Sequence, residues 1–326
     1  MEKRRTEKVS DKKKLLKWIL VVILIIVSCG VAYSYYLVKN AETKLEQTYK
    51  PIENHEENKV IEATKPMSIL LMGVDTGNSE RTETWAGNSD SMLVMTINPK
   101  TKKTTMMSLE RDILTKIQQK DGRIEEAKLN AAYAGGGAEL AISTIQKMMN
   151  IHIDRYVMVN MQGLQQLVDA VGGVTVNNTL GFPISITDQE EFNKISIGVG
   201  QQTLNGEEAL VYSRMRYQDP EGDYGRQKRQ REVIQKVVEK ILSLNSVSHY
   251  QEILKALSDN MQTNIEITTT TIPQLMGYQD SFKNIDSQQL RGEDAMIDGT
   301  SYQIVSSAHM LEMQNLLRRS LDKPEV

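Results

Sequence analysis

The 326-residue chain has a single cysteine, Cys29, so no intrachain disulfide can form, and cysteine-based catalysis and zinc binding are excluded as well. Its four histidines show no ligand spacing, and His152, His249 and His309 read as structural or exposed residues. There is no H-E-x-x-H, no G-x-S-x-G and no Walker A loop. Zincin chemistry, nucleophile-elbow hydrolysis and P-loop nucleotide binding therefore lack their residues. No internal repeat is present. A basic excess is missing too: beyond residue 17 the chain has 31 Lys/Arg against 39 Asp/Glu, a balance of −8. That sign argues against a general nucleic-acid binder.

The first 17 residues have the opposite character, with eight Lys/Arg against Glu2, Glu7 and Asp11. Trp18 to Val38 follows without a charge. At 1.5 Å per residue a helix of this length spans the ~30 Å hydrocarbon core of a bilayer. Tyr33, Tyr35 and Tyr36 suit its far interface. A cleaved signal peptide is the rival, but the apolar run is long for one, and neither an A-x-A site nor a lipobox accompanies Cys29. The expectation is a cytoplasmic tail (1–17), a transmembrane helix (18–38) and an extracellular stalk (39–65). The cell membrane would then hold the chain by a single pass, with everything after Lys39 outside.

Met67 to Val74, Met92 to Ile97 and Thr104 to Leu109 read as strands, and Pro99-Lys100 turns the second into the third. In a hairpin the start of one strand lies beside the end of the next, so Asp90 and Arg111 share an edge. Asp75 joins them if the first strand runs parallel to the third. Carboxyl ends of strands are where open α/β sheets place their sites. Gly135-Gly136-Gly137 precedes a helical pattern over Ala138 to Met149 and reads as a turn or a phosphate cradle. Tyr156 to Asn160 (strand), Gln162 to Ala170 (helix) and Val174 to Val176 (strand) continue an α/β alternation. Beyond Leu244, Tyr250 to Leu257 and Met310 to Leu321 read as helices, and Thr268 to Thr271 and Tyr302 to Val305 as strands.

The most informative stretch is LVYSRMRYQDPEGDYGRQKRQREVI, Leu210 to Ile234. Arg214 and Arg216 precede a turn-forming run, and a helix is expected from about Tyr224. Helical phase places Arg226 and Gln230 inward with Val233 and Val237, with Arg229 on the flank. Lys228, Arg231 and Glu232 face water on the same wheel. An inward guanidinium needs an anion, from the fold or from a ligand. Asp75 and Asp90 with Arg111, Arg214, Arg216, Arg226 and Arg229 suit a magnesium-pyrophosphate ligand. Internal salt bridges are the alternative, weakened by the expectation that arginines outnumber the acids on that edge.

Six segments carry a resemblance: LLMGVDTG with Asp75, GNSDSM with Asp90, SLERDIL with Arg111-Asp112, SRMRYQDPEGDYGRQKRQRE, KLNAAYAGGG and VNMQGL. In order and spacing the chain resembles the LytR-CpsA-Psr family, and its streptococcal and enterococcal LytR branch in particular. The resemblance covers about residues 66–245 and implies a catalytic domain there. The implied fold is α/β, a mixed central β-sheet flanked by helices, with 246–326 as an extension packing on the core. It also implies a Mg²⁺-dependent phosphotransferase that moves a glycopolymer of teichoic acid or wall polysaccharide type from an undecaprenyl-pyrophosphate carrier to peptidoglycan, with lipid pyrophosphatase as a side activity. Carried over by position, Asp75 and Asp90 would hold Mg²⁺, and Arg111, Arg214, Arg216, Arg226 and Gln230 the pyrophosphate. Asp112 would orient Arg111 or act as base. Lys128, Arg229 and Asp223 are further candidates. Met92, Met95 and Met106 are weighed as prenyl-groove lining against ordinary core, with core favoured.

Asn88 departs from the pattern, since many members carry an arginine two residues before the second aspartate. Lys128 or Arg81 is the expected substitute cation. Two rival classes remain: a transcriptional attenuator using the basic run Arg226 to Arg231, and a non-catalytic wall-polymer binding protein.

Overall fold

The computed structural model describes residues 48–52, 60–76, 85–186, 194–243, 253, 259–266 and 271–326, all within the unit Leu45–Val326. The expected tail, the membrane run and most of the stalk lie outside these residues, as do Arg81, His249 and nearly all of the expected helix Tyr250 to Leu257. Among the described residues no helix is long and apolar enough to cross a membrane.

The fold is a mixed α/β domain. Its chain begins with β1 (Met67–Val74), β2 (Ser89–Asn98) and β3 (Lys103–Leu109), then a hairpin of β4 (Leu114–Gln118) and β5 (Ile124–Lys128). There follow α1 (Ala131–Met149), β6 (Arg155–Asn160), α2 (Met161–Ala170) and a second hairpin, β7 (Val174–Asn178) with β8 (Gly200–Leu204). Next come α3 (Gly206–Arg214), α4 (Asp223–Ser243), β9 (Met261–Thr263), α5 (Thr271–Met276) and a 3-10 turn at Gln279–Lys283. The chain closes with β10 (Ile285–Leu290), the hairpin of β11 (Glu293–Ile297) and β12 (Thr300–Ile304), and α6 (Ser307–Ser320).

Six strands form the central sheet in the order β10-β3-β2-β1-β6-β9. β1 is central and apolar on both faces, as its run MSILLMGV requires. Leu70, Met72 and Val74 face one apolar cluster, under α1 and α6, while Met67 and Ile69 face a second on the other side. The pleat sorts the methionines in the same way: Met92 joins the first cluster, and Met95 and Met106 the second. All three are buried, so they are ordinary core and cannot line one groove together. A third apolar cluster gathers α2, α3, β7, β8 and the Val233–Val237 face of α4.

Sheet direction positions the site. β2 runs antiparallel to β1 and β3, β6 runs parallel to β1, and β10 runs parallel to β3. The carboxyl ends of β1, β3, β6 and β10 therefore meet along one edge, where β2 also begins. Residues 246–326, expected to pack on the core, do so through Met313 and Leu317 of α6, and also supply both edge strands, β9 and β10. Thr271, expected to close a strand, opens α5 instead. The glycine run does not precede a helix but interrupts one: Gly136 and Gly137 depart from helical geometry inside α1, and Gly137 has φ 64°. That left-handed value suits glycine and lets two helical pieces meet at an angle.

Candidate active site

Asp75 leaves β1 at the shared edge and is nearly buried. Its backbone N–H donates to the Asn88 carbonyl at 3.2 Å, and its Oδ1 accepts the Asn88 N–H at 2.8 Å. Asn88 thus touches Asp75 through its backbone. Gly87 permits this approach, because a Cβ there would stand 2.5 Å from Asp75 Oδ1. Asp90, the second residue of β2, accepts from Arg111 Nη1 at 2.7 Å through Oδ1. Its Oδ2 makes no hydrogen bond to the described protein. Arg111 stands two residues past the end of β3; its Nε lies 3.7 Å from Asp112 Oδ2, and Asp112 Oδ1 meets Lys128 Nζ at 2.9 Å. Burial pulls the Arg111 guanidinium down, but Asp90 outweighs it and the proton is held more tightly than usual. Asp112 thereby joins two cations, and Lys128, at the end of β5, lies under the Tyr302 ring.

The start of α4 closes the other side. Arg226 is 7% exposed; its Nη2 meets Asp223 Oδ1 at 2.7 Å and donates to the Asp90 carbonyl at 3.1 Å. Arg216 Nε lies 3.5 Å from the same Asp223 oxygen. Arg214 is half-buried in the last turn of α3, and Gln230 half-buried on α4. The structure thus brings Asp90, Arg111, Asp112, Lys128, Arg216, Asp223 and Arg226 into one connected set, with Asp75 beside the start of β2.

Arg229 has a different task. Its Nε donates to the Tyr212 carbonyl at 2.8 Å, Nη1 pairs with Asp219, and Nη2 donates to the Met215 carbonyl. All three nitrogens are spent on tying the loop after α3 to α4. The opposite face of α4 also differs from its helical-wheel reading. Arg231 is buried and donates to Ser108 Oγ at 2.5 Å; Glu232 is half-buried and accepts the Tyr212 hydroxyl at 2.7 Å. Only Lys228 of the three is exposed as expected. The reason is that α4 is a wedge: Val233 packs in the third cluster while Ile234 packs against the second, so neither flank faces water. The expectation that guanidiniums outnumber acids on this edge also fails. Asp75, Asp90, Glu110, Asp112 and Asp223 stand among them, because guanidiniums this deep require nearby counter-charge.

Glu110 and Gln227 are residues that sequence reasoning missed. Glu110 is 2% exposed, directly follows β3 beside Arg111, and accepts from Gln227 Nε2. The same Gln227 Nε2 donates to Asp223 Oδ2 at 2.9 Å. Burial, then the hydrogen bond and charge of Asp223, push the Glu110 carboxyl up to about 9. Burial opposes ionisation of Asp223 too, but Arg226, the Glu110 hydrogen bond, Gln227 and Arg216 together hold it below its ordinary value. The pair therefore keeps one proton on Glu110 and one negative charge on Asp223, where Arg226 and Arg216 meet it. Tyr133, buried at the start of α1, donates to the Trp85 carbonyl at 2.9 Å; burial and then Asp75 raise its hydroxyl to about 12.

This edge gathers carboxylates and guanidiniums on the strand ends where the six motif segments meet, and the family model LytR_cpsA_psr matches residues 33–319. The chain belongs to the LytR-CpsA-Psr family. It is 55% identical to Biofilm regulatory protein A of Streptococcus mutans over 313 residues, 95% of this chain and 77% of that protein. It is 42% identical to the polyisoprenyl-teichoic acid–peptidoglycan teichoic acid transferase TagU of Enterococcus faecalis, over 96% of this chain and 99% of that one. Among solved structures, TagT bound to LIIa-WTA superposes with a TM-score of 0.70 at 26% identity, covering 84% of this chain and all of that one.

Within the family pattern, Asp75, Asp90, Arg111, Asp112, Arg216 and Arg226 lie at the edge. Among the described residues no cluster of three or more acidic, histidine or cysteine side chains forms a metal cage. The two aspartates nonetheless fit Mg²⁺, which takes one or two carboxylates and completes its shell with phosphate oxygens and water. The free Oδ2 of Asp90 suits that role. Arg111 Nε and Arg226 Nε are buried without a hydrogen-bond partner, Arg111 Nε keeping only the 3.7 Å ion pair to Asp112.

Proposed function

We propose that this chain is a membrane-anchored phosphotransferase that attaches a teichoic acid or wall polysaccharide to peptidoglycan from an undecaprenyl-pyrophosphate carrier. The observation that carries the reading is the meeting of Arg111 and Arg226 with Asp90 on the edge that also bears Asp75. The names of TagU and TagT support the substrate class. Asp75 and Asp90 would hold Mg²⁺, whose charge would offset that of the pyrophosphate oxygens. Arg111 and Arg226 bind non-bridging oxygens, Arg214, Arg216 and Gln230 extend that shell, and Asp112 and Asp223 fix the guanidinium orientations.

The acceptor hydroxyl attacks the phosphorus nearest the polymer sugar. A new O–P bond forms, the bridging O–P bond breaks, and undecaprenyl phosphate departs with the electron pair. Phosphoryl transfer through a loose transition state puts little demand on a base, so the hydroxyl proton ends on the departing phosphate. Asp112, pinned between Arg111 and Lys128, is a positioning residue in this scheme. Water in place of the hydroxyl gives the pyrophosphatase side reaction. The uncharged run 18–38 provides the anchor, placing the domain outside the cell.

A transcriptional attenuator would need Arg226 to Arg231 for DNA, yet Arg226, Arg229 and Arg231 are buried. The test is incubation of the full chain, in detergent, with a lipid-linked saccharide, peptidoglycan and Mg²⁺. The expected product is a sugar-phosphate linkage to peptidoglycan, lost on chelation and restored by Mg²⁺. Hydrolysis of the lipid alone would refute transfer. Polymer attachment that survives Asp75→Ala and Arg111→Ala would point to a non-catalytic binding protein.

A further inference from the structure

Three arginines of α4 are buried, and two have their acid: Arg226 meets Asp223 and Arg229 meets Asp219. Arg231 has none. Among the described residues no carboxylate lies within salt-bridge distance of its guanidinium, and its one hydrogen bond goes to the neutral Ser108 hydroxyl. Its Nε and Nη2 make no hydrogen bond, and neither is sealed from solvent. A second guanidinium, Arg291, adds positive charge nearby, itself stacked on the Tyr224 ring at 4.8 Å. Arg291, just past β10, donates through Nη2 to Gln289 Oε1 at 3.2 Å, and Gln289 is the register partner of Ser108 across the β3–β10 ladder. Burial and then Arg291 bring the Arg231 guanidinium down to about 10, with Glu221 opposing. Arg291 also meets Glu221 at 3.3 Å, but both side chains are about half exposed, so water screens that pair.

A buried guanidinium beside a second cation, lacking an acid of its own, is strongly disfavoured unless an anion joins it. We infer that Arg231 and Arg291, with the Ser108 hydroxyl, form an oxyanion site for a phosphate or phosphodiester group, separate from the Asp75–Arg111–Arg226 edge. Forked guanidinium donors match phosphate oxygens, and Ser108, which accepts from Arg231, keeps its own proton to donate. Along α4 the site lies five residues beyond Arg226, roughly 7.5 Å of helix rise. The source of the group is free inorganic phosphate or the phosphodiester of a polyol-phosphate chain. Only the second source rests on the transferase reading.

The experiment follows thermal unfolding of the full chain in detergent, without Mg²⁺, against inorganic phosphate and, separately, a glycerol-phosphate oligomer. A saturable rise in midpoint is expected with at least one ligand. Arg231→Gln and Arg291→Gln should each weaken apparent affinity at least tenfold, while Arg111→Gln retains it. Arg291→Gln removes a half-exposed side chain and keeps the test decisive if Arg231→Gln does not fold. A response to the oligomer alone identifies the polymer as the source, and equal responses identify the free ion. The inference is overturned if neither ligand shifts the midpoint, if Arg291→Gln responds like wild type, or if Arg111→Gln abolishes the response. Transfer activity is read separately, so failure here leaves the catalytic reading standing.

Discussion

Replacing Glu110 with glutamine should stabilise this protein at neutral pH, although the residue lies at the heart of the candidate site. With its carboxyl pushed up to about 9 by burial and Asp223, Glu110 is protonated in the fold at pH 7, whereas in the unfolded chain it ionises near its ordinary value of 4.5. A folded pKa above the unfolded one for an acid means that the native state holds the extra proton between those values. Stability therefore falls as pH rises from about 4.5 towards 9. At 1.36 kcal/mol per unit, roughly 3 kcal/mol has been lost by pH 7. Glutamine reproduces the protonated acid: its amide donates to Asp223 and its carbonyl accepts from Gln227, without a proton to lose. Thermal unfolding of the full chain from pH 5 to 9 should show Glu110→Gln losing less stability than wild type as pH rises. By pH 7 its midpoint should be higher by roughly 5–10 °C. Glu110→Ala should instead destabilise, because it strands Asp223 and Gln227. If Glu110→Gln follows the wild-type pH profile, Glu110 is ionised in the fold and the shared proton is wrong.

Arg226→Lys keeps the charge but loses the fork between Asp223 and the Asp90 carbonyl, and transfer should fall about thirtyfold, the rate equivalent of about 2 kcal/mol. A rate within threefold of wild type would remove Arg226 from phosphate binding. Gly87→Ala drives a Cβ against Asp75 Oδ1 and Thr76 Cγ2, at 2.5 and 2.7 Å before relaxation. Displacing Asp75 should slow transfer by about ten- to a hundredfold and raise the Mg²⁺ concentration needed for half-maximal rate, with little change in melting. Arg229→Leu should lower stability by about 3–5 kcal/mol by stranding Asp219, with melting as the readout. A stable Arg229→Leu protein would show that the clasp after α3 is dispensable.

The strands that place the site were legible because each is a short apolar run closed by turn residues, and the Pro99-Lys100 turn alone sets Asp90 beside Arg111. Their parallel partners were less visible. β10 (IDSQQL) is an edge strand with only two apolar residues, and β9 has three residues in all. Neither carries a periodic signal, and membership in the sheet comes from the backbone ladder rather than from side chains. The β4–β5 hairpin is likewise mostly polar on its exposed face, Ile124 excepted. On α4, helical phase located Arg226 correctly but misjudged Arg231 and Glu232, since a wheel assumes one wet face and this helix has apolar clusters against two. Glu110 went unread because a carboxylate beside Arg111-Asp112 looks like one more surface charge. Only the end of β3 shows that alternation turns it under α4.

The two halves of the chain meet through that alternation. Leu109 points into the cluster beneath α1, so its neighbours Ser108 and Glu110 must point to the other side, where α4 lies. α4 answers with Arg231 for Ser108 and Gln227 for Glu110, four residues apart and hence on one helix face. A two-residue strand repeat is thus read by a one-turn helix repeat. β10 then binds the same face from the far edge, with Gln289 donating to Gln227 Oε1 and the Tyr224 carbonyl at 3.1 Å each. Arg226 sits one residue before Gln227, on the side of the helix that turns from this polar seam towards Asp90. The register of α4 on β3 therefore sets where the guanidinium stands, and a one-residue slip would break the Glu110 and Ser108 contacts together. The buried polar seam costs more than an apolar one, yet it admits a single alignment of the arginine helix with the strand ends. An apolar seam of the same size would tolerate several.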